Sequence, residues 1–136
     1  MSVIQINAQE AFELLKKDQN SILIDVRTFE EFNFVGIVNA VSFSDRMTLL
    51  PWQTLPHMNE NPDFAASLEK AAPKTAHIFF LCRSGGRSNQ AANYATNLGY
   101  ENCYNITSGF EGDLDHDQQR GKINGWKANN LPWRQK

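Results

Sequence analysis

The chain has 136 residues, 41% of them hydrophobic and 21% charged, with a formal net charge of −2. That length and balance suit one soluble globular domain over residues 1–136 with a core of its own. The charge excludes a general attraction to nucleic acid or to an anionic membrane, so any anion must be held locally. No apolar run approaches the roughly 20 residues of a membrane span, and the N-terminus lacks the basic-then-apolar pattern of a signal peptide. The two cysteines, Cys82 and Cys103, make no disulfide framework, and we expect both to be free thiols in a reducing cytoplasm.

In chain order, "INAQEAFELLKKD" places Ala8, Ala11, Phe12 and Leu15 at i, i+3, i+4 and i+7. This predicts an amphipathic helix, with Asn7 as its N-cap and Glu10 three residues on in a capping-box arrangement. "SILIDV" (21–26) reads as a short buried strand and "TFEEF" as a brief helix capped by Thr28. "AVSF" (40–43) is expected to be a second strand, and residues 44–60 a long loop with two prolines whose Trp52, Leu55 and Met58 cover the core or the mouth of a site. "NPDFAASLEKAA" (61–72) predicts a helix entered at Asn-Pro and ended by Pro73. "AHIFFLC" (76–82) predicts a strand, "SNQAANYATNLG" (88–99) a helix closed by Gly99, and "ENCYNI" (101–106) a further strand. Residues 107–125 are polar and Gly-rich, and the chain ends in "GWKANNLPW". Strands alternating with helices predict an α/β fold, a mainly parallel central sheet flanked by helices on both faces.

Ligands in such folds bind at the carboxyl ends of the strands. Asp25 ends one predicted strand, and Cys82 ends another before Arg83-Ser84-Gly85-Gly86-Arg87-Ser88 runs into a helix. Two adjacent glycines allow a tight turn with φ > 0, and successive N–H groups can then form an anion-binding nest backed by the helix N-terminus. Thiols at helix N-termini or beside cations generally ionise more readily than free ones, and the thiolate is the nucleophile. A buried core cysteine before a plain turn is the competing reading, but a plain turn does not need two arginines around two glycines.

These stretches resemble a single-domain rhodanese of the bacterial type. "LIDVRTFEEF" is similar to the family's Asp-Val-Arg segment with its acidic-aromatic pair, "FFLCRSGGRS" to its active-site strand and loop, and "NLGYENCYNITSGFEG" to its last strand and Gly-aromatic turn. "GWKANNLPW" is similar to the C-terminal tail of one bacterial subgroup. The resemblance implies a rhodanese-like fold and a sulfurtransferase. Cys82 would be the sulfur-accepting nucleophile, and residues Arg83, Ser84, Gly85, Gly86, Arg87 and Ser88 the loop that cradles its persulfide. Asp25 and Arg27 would support the site. No cofactor is implied. The partners implied are a small sulfur donor and a thiol acceptor, small or protein-borne, with monomer and homodimer both open. One departure stands out: the family usually has Gly-His-Ile-x-Gly-Ala after the Asp-Val-Arg helix, whereas residues 35–40 read "VGIVNA", with Gly36 in the histidine's place.

Two rival functions remain open on sequence. One is a persulfide relay with little turnover. The other is a cysteine phosphatase or arsenate reductase on the same fold, which would use Cys-x5-Arg; here only four residues separate Cys82 from Arg87. Arg27 is expected to pair with Glu31 and pin the short helix, Asp25 to bond nearby backbone or arginine groups, and Cys103 to be buried. His57, His77 and His116 have no partner at metal-ligand spacing. Asp113, Asp115 and Asp117 alternate, but Gln118 and Asn124 fall where a calcium loop needs Gly and Glu. Trp126 and Trp133 are expected to anchor the tail in the core or along a seam.

Overall fold

The structure, a computed structural model, describes residues 2–136. The alternating elements predicted from sequence assemble into a five-stranded sheet. Its strands are β1 (Ile4–Ile6), β2 (Ser21–Asp25), β4 (Met47–Leu49), β7 (His77–Leu81) and β8 (Asn102–Ile106), in the order β1-β8-β7-β2-β4 with every neighbouring pair parallel. Four helices connect them: α1 (Ala8–Lys17), α2 (Phe29–Val35), α3 (Phe64–Ala71) and α4 (Gly86–Asn97). Side chains alternate across each strand, so β7 feeds two cores. Ile78 and Phe80 pack with Phe64, Leu68 and Ala91 of α3 and α4. Phe79 and Leu81 pack on the other face with Ala11, Leu15, Phe110 and Trp126. Burial on both faces is why these strands read as continuous apolar runs.

Local chemistry sets the helix starts. The Asn7 side chain accepts the Glu10 N–H, and Thr28 with Glu31 completes a capping box at α2. Several helix bounds differ from expectation; the second helix runs past Phe32 to Val35, and the third ends at Ala71. The third helix begins at Phe64, after Asn61 has formed a side-chain turn by accepting the Asp63 N–H. The fourth begins two residues earlier than predicted, at Gly86, and its C-cap is Leu98, with Gly99 just beyond at φ +103°.

Residues 40–43 are not a strand: Val41–Phe43 form a 3₁₀ turn, in which the Ala40 carbonyl accepts from both Phe43 and Asp45. Ser44 and Asp45 then follow in the left-handed region. A four-residue apolar run cannot tell these conformations apart. The expected loop over 44–60 also holds more structure than predicted. It supplies the edge strand β4 and a small hairpin, β5 (Gln53–Thr54) with β6 (Asn59–Glu60). Trp52 packs edge-on against Phe64 in the core. Strand β1 and the two-stranded pairing of β3 (Ile37–Val38) with the tail strand β9 (Trp133–Arg134) were also not read from the sequence. None of the segments β1, β3, β4 or β9 exceeds three residues, too short for a period to show.

Candidate active site

Strands β2 and β7 are neighbours, and Asp25 pairs with Leu81. Cys82 therefore emerges beside the Asp-Val-Arg segment at the carboxyl end of the sheet. The loop after it is held from behind by the turn that follows β8. The carbonyl of Cys82 accepts the Phe110 N–H at 2.8 Å, and the carbonyl of Arg83 accepts from Glu111 and Gly112 at 3.0 and 3.1 Å. In a trans peptide the N–H points opposite to the C=O, so the N–H groups of Arg83 and Ser84 face away from that turn. Gly85, at φ +107°, reverses the chain, and its N–H donates to Cys82 Sγ at 3.1 Å. A Cβ at Gly85 would lie 2.0 Å from the Thr107 carbonyl oxygen, and one at Gly109 2.5 Å from that of Cys82. Glycine at both positions is what lets the loop and its backing turn close on each other.

Gly86 does not share that role. It is the first residue of α4, with open space where a Cβ would go; only Gly85 uses the freedom that the sequence suggested for both glycines. The N–H groups of Ser84, Gly86 and Arg87 find no acceptor among the described residues. A helix N-terminus leaves such donors for an anion. Cys82 itself is 2% exposed, and its sulfur also lies 3.2 Å from Ser88 Oγ.

The arginines partition differently from expectation. Arg27 does not pair with Glu31. It forms a bidentate pair with Asp25, both fully buried, and donates to the Gly36 carbonyl. Its guanidinium carbon lies 4.3 Å from the Phe110 ring centroid, and Nη1 has no hydrogen-bond partner among the described residues. Glu31 instead takes Arg87, with contacts of 2.6 and 2.9 Å across the site. Burial raises the Glu31 pKa, but hydrogen bonds from Arg87 and Thr28 outweigh it and bring the carboxyl down to about 2. The same pairing raises the Arg87 pKa against the opposing effect of burial. The second loop arginine is therefore committed to a carboxylate.

Above the loop lies an open basin of about 370 Å³ lined by Glu31, Val35, Met58, Arg83, Arg87 and Glu111. Among the described residues, Arg83 has no ion-pair partner. A neighbouring apolar depression of about 270 Å³ includes Phe34, Leu55 and Met58, and Phe34 is 84% exposed. Of the three residues expected to cover core or mouth, Met58 lines the basin and Leu55 its flank, while Trp52 is buried.

The missing histidine has a steric counterpart. A Cβ at Gly36, which sits at φ +105°, would lie 2.8 Å from the Arg134 carbonyl oxygen and 3.0 Å from the Trp133 ring. The tail thus fills the space beside residue 36. Trp133 stacks under the Lys127 ammonium, Lys127 donates to the Val35 carbonyl, and Trp126 is fully buried, so the tail is a seam as expected. Cys103 is buried, and burial raises its pKa. Among the described residues no group of three or more His, Cys, Asp or Glu side chains is arranged to hold a metal ion, and no helix is long and apolar enough to cross a membrane.

Two residues that reach the sulfur only through Ser88 were not read from the sequence. Asn105 accepts the Ser88 hydroxyl at 2.5 Å, and Gln5 accepts from the Asn105 amide. A polar residue next to Ile106 at the carboxyl end of the strand "NCYNI" was the available signal for Asn105.

The arrangement has relatives of the kind its motifs resemble. The Rhodanese-like domain model matches residues 7–115. An uncharacterized protein of Rickettsia rickettsii is 44% identical over 98% of both chains. The thiosulfate sulfurtransferase GlpE of Tolumonas auensis is 31% identical over 79% of this chain and 85% of its own. The crystal structure of Rv0390 from M. tuberculosis superposes with a TM-score of 0.90 at 38% identity, covering 100% of both chains. With its parallel sheet, strand-end cysteine and matching sequence, the chain belongs to the rhodanese-like domain family.

Proposed function

We propose that this protein, acting as one domain over residues 1–136, is a sulfurtransferase of the thiosulfate type, with Cys82 as its nucleophile. The single observation that carries the reading is the Cys82 sulfur held by the Gly85 N–H, inside a loop whose Ser84, Gly86 and Arg87 N–H groups find no acceptor among the described residues. The Cys82 thiolate attacks the outer sulfur of thiosulfate. The sulfur–sulfur bond of the donor breaks, sulfite leaves with its electron pair, and Cys82 carries a persulfide. An acceptor nucleophile, a thiol or cyanide, then attacks the terminal sulfur and returns Cys82 as thiolate. This is covalent catalysis in two half-reactions, and inward N–H groups stabilise the anionic persulfide. The kinship with a thiosulfate sulfurtransferase supports the same chemistry. The Glu31–Arg87 pair argues against a phosphatase, which would need that arginine free to clamp a tetrahedral oxyanion.

The test is intact-mass measurement after incubation with thiosulfate, then with a thiol. Wild type should gain one sulfur and lose it to the thiol, and should form thiocyanate from cyanide over many turnovers. Cys82→Ser should do neither while remaining folded. A protein that gains sulfur without turning over is a relay; one that never gains sulfur and hydrolyses an aryl phosphate refutes the proposal.

A further inference from the structure

The hydrogen bonds behind Cys82 fix a direction for one proton. Asn105 Nδ2 lies 3.2 Å from the Gly85 carbonyl oxygen, which only accepts, and 2.8 Å from Gln5 Oε1. The amide nitrogen must face those two oxygens, so Oδ1 faces Ser88. An amide oxygen has no proton to give. The single hydroxyl proton of Ser88 is therefore spent on Asn105, at 2.5 Å. Ser88 Oγ then meets the Cys82 sulfur, 3.2 Å away, with a lone pair. That contact is favourable when Cys82 carries its proton and donates it to Ser88. It is unfavourable when the sulfur is an anion, unless the hydroxyl turns and abandons Asn105. Ser88 is fully buried and Asn105 is 3% exposed, so water does not readily replace either bond.

We propose that Asn105 is a positioning residue that aims the Ser88 hydroxyl away from Cys82 and so holds the resting cysteine as a thiol. The inference rests on Cys82 being the reactive thiol of the proposed function. No proton passes along the chain, because the amide oxygen is not a base. When Cys82 gives up its proton to solvent water, the Ser88 hydroxyl rotates to donate to the thiolate and then to the persulfide, and the bond to Asn105 is given up; the thiolate returned after sulfur transfer takes a proton back from water. The device keeps the buried sulfur less reactive towards adventitious electrophiles, and the loop N–H donors favour the anionic form once a donor engages.

The test uses the full chain in a Cys103→Ser background, so that Cys82 is the only thiol. Its readouts are the rate of alkylation by iodoacetamide at neutral pH and the ultraviolet absorbance of the thiolate. Asn105→Ala releases the Ser88 proton for a charge-assisted bond to sulfur, and alkylation should quicken about tenfold with a matching rise in thiolate absorbance. Ser88→Ala removes the lone pair that receives the S–H, and alkylation should quicken about threefold. The double variant should alkylate no faster than Ser88→Ala alone. Equal acceleration by Asn105→Ala with and without Ser88 would mean simple loosening and would overturn the proposal. A slower Ser88→Ala would also overturn it, because Ser88 would then already be donating to a resting thiolate; this near-isosteric variant decides the matter if Asn105→Ala does not fold. Wild type that gains sulfur from thiosulfate while these variants alkylate at its own rate refutes the Asn105 role alone. Wild type that gains no sulfur refutes the proposed function instead.

Discussion

The segments that follow β2 and β7 lie side by side at one end of the sheet, and each uses an arginine paired to a carboxylate. After β2, Arg27 reaches back two residues to Asp25, and both side chains are wholly buried. After β7, Arg87 reaches Glu31, 56 positions away, and both remain about one-fifth exposed at the basin. The sealed pair is structural: its guanidinium is packed over Phe110 and ties Asp25 to the Gly36 carbonyl. The open pair bridges α2 to the loop and sets the charge that a ligand meets. The same chemical pair thus has two roles, separated by burial. Breaking a buried pair leaves an uncompensated charge that water cannot reach, whereas a partly exposed pair is screened.

Disrupting the sealed pair should have the larger effect on stability. Asp25→Ala strands the Arg27 guanidinium in the core and should cost about 3–5 kcal/mol, read as a lowered urea midpoint. A loss below 1 kcal/mol would mean that Arg27 finds another acceptor. Gly85→Ala comes next, since it puts a Cβ 2.0 Å from the Thr107 carbonyl at a positive φ. It should abolish sulfur loading onto Cys82 while most of the unfolding transition survives; Gly86→Ala, with open space around it, should keep loading within about twofold, because alanine costs a helix start little.

The open pair should respond through charge. Glu31→Gln leaves Arg87 uncompensated, so turnover with thiosulfate should rise a few-fold relative to a neutral persulfide donor, and the gain should shrink at high salt. Equal change for both donors would remove the electrostatic account. The same pair predicts an acid limb. Glu31 has its pKa lowered from 4.5 to about 2 in the fold. Its contribution to stability is therefore full above about pH 4.5 and is lost as pH falls through about 2. The stability gap between wild type and Glu31→Gln should narrow over that window. Cys103→Ser, far from the loop in the opposite half of its strand, should leave sulfur transfer within twofold of wild type.

What the sequence alone determined is what neighbouring residues decide. The caps at Asn7 and Thr28 and the apolar strands "SILID" and "HIFFL" rest on interactions within a few positions, so spacing and residue type suffice. The fold class followed from the alternation of these elements, and the family from the motifs they carry. Tertiary structure decided the rest. Arg27 had Asp25 and Glu31 both within local reach, and only the packing of α2 against the loop gave Glu31 to Arg87. Strand β4 shows no period in three residues and exists because β2 offers it an edge. The place of the family histidine is taken up by a tail almost 100 residues further on, where Trp133 and Arg134 lie against Gly36. Asn105 reads as one polar residue in a strand until β8 lies beside β7 and α4 and brings its amide to Ser88. Such partners are separated by tens of residues, and their choice is set by the shape of the packed core, which no local spacing encodes.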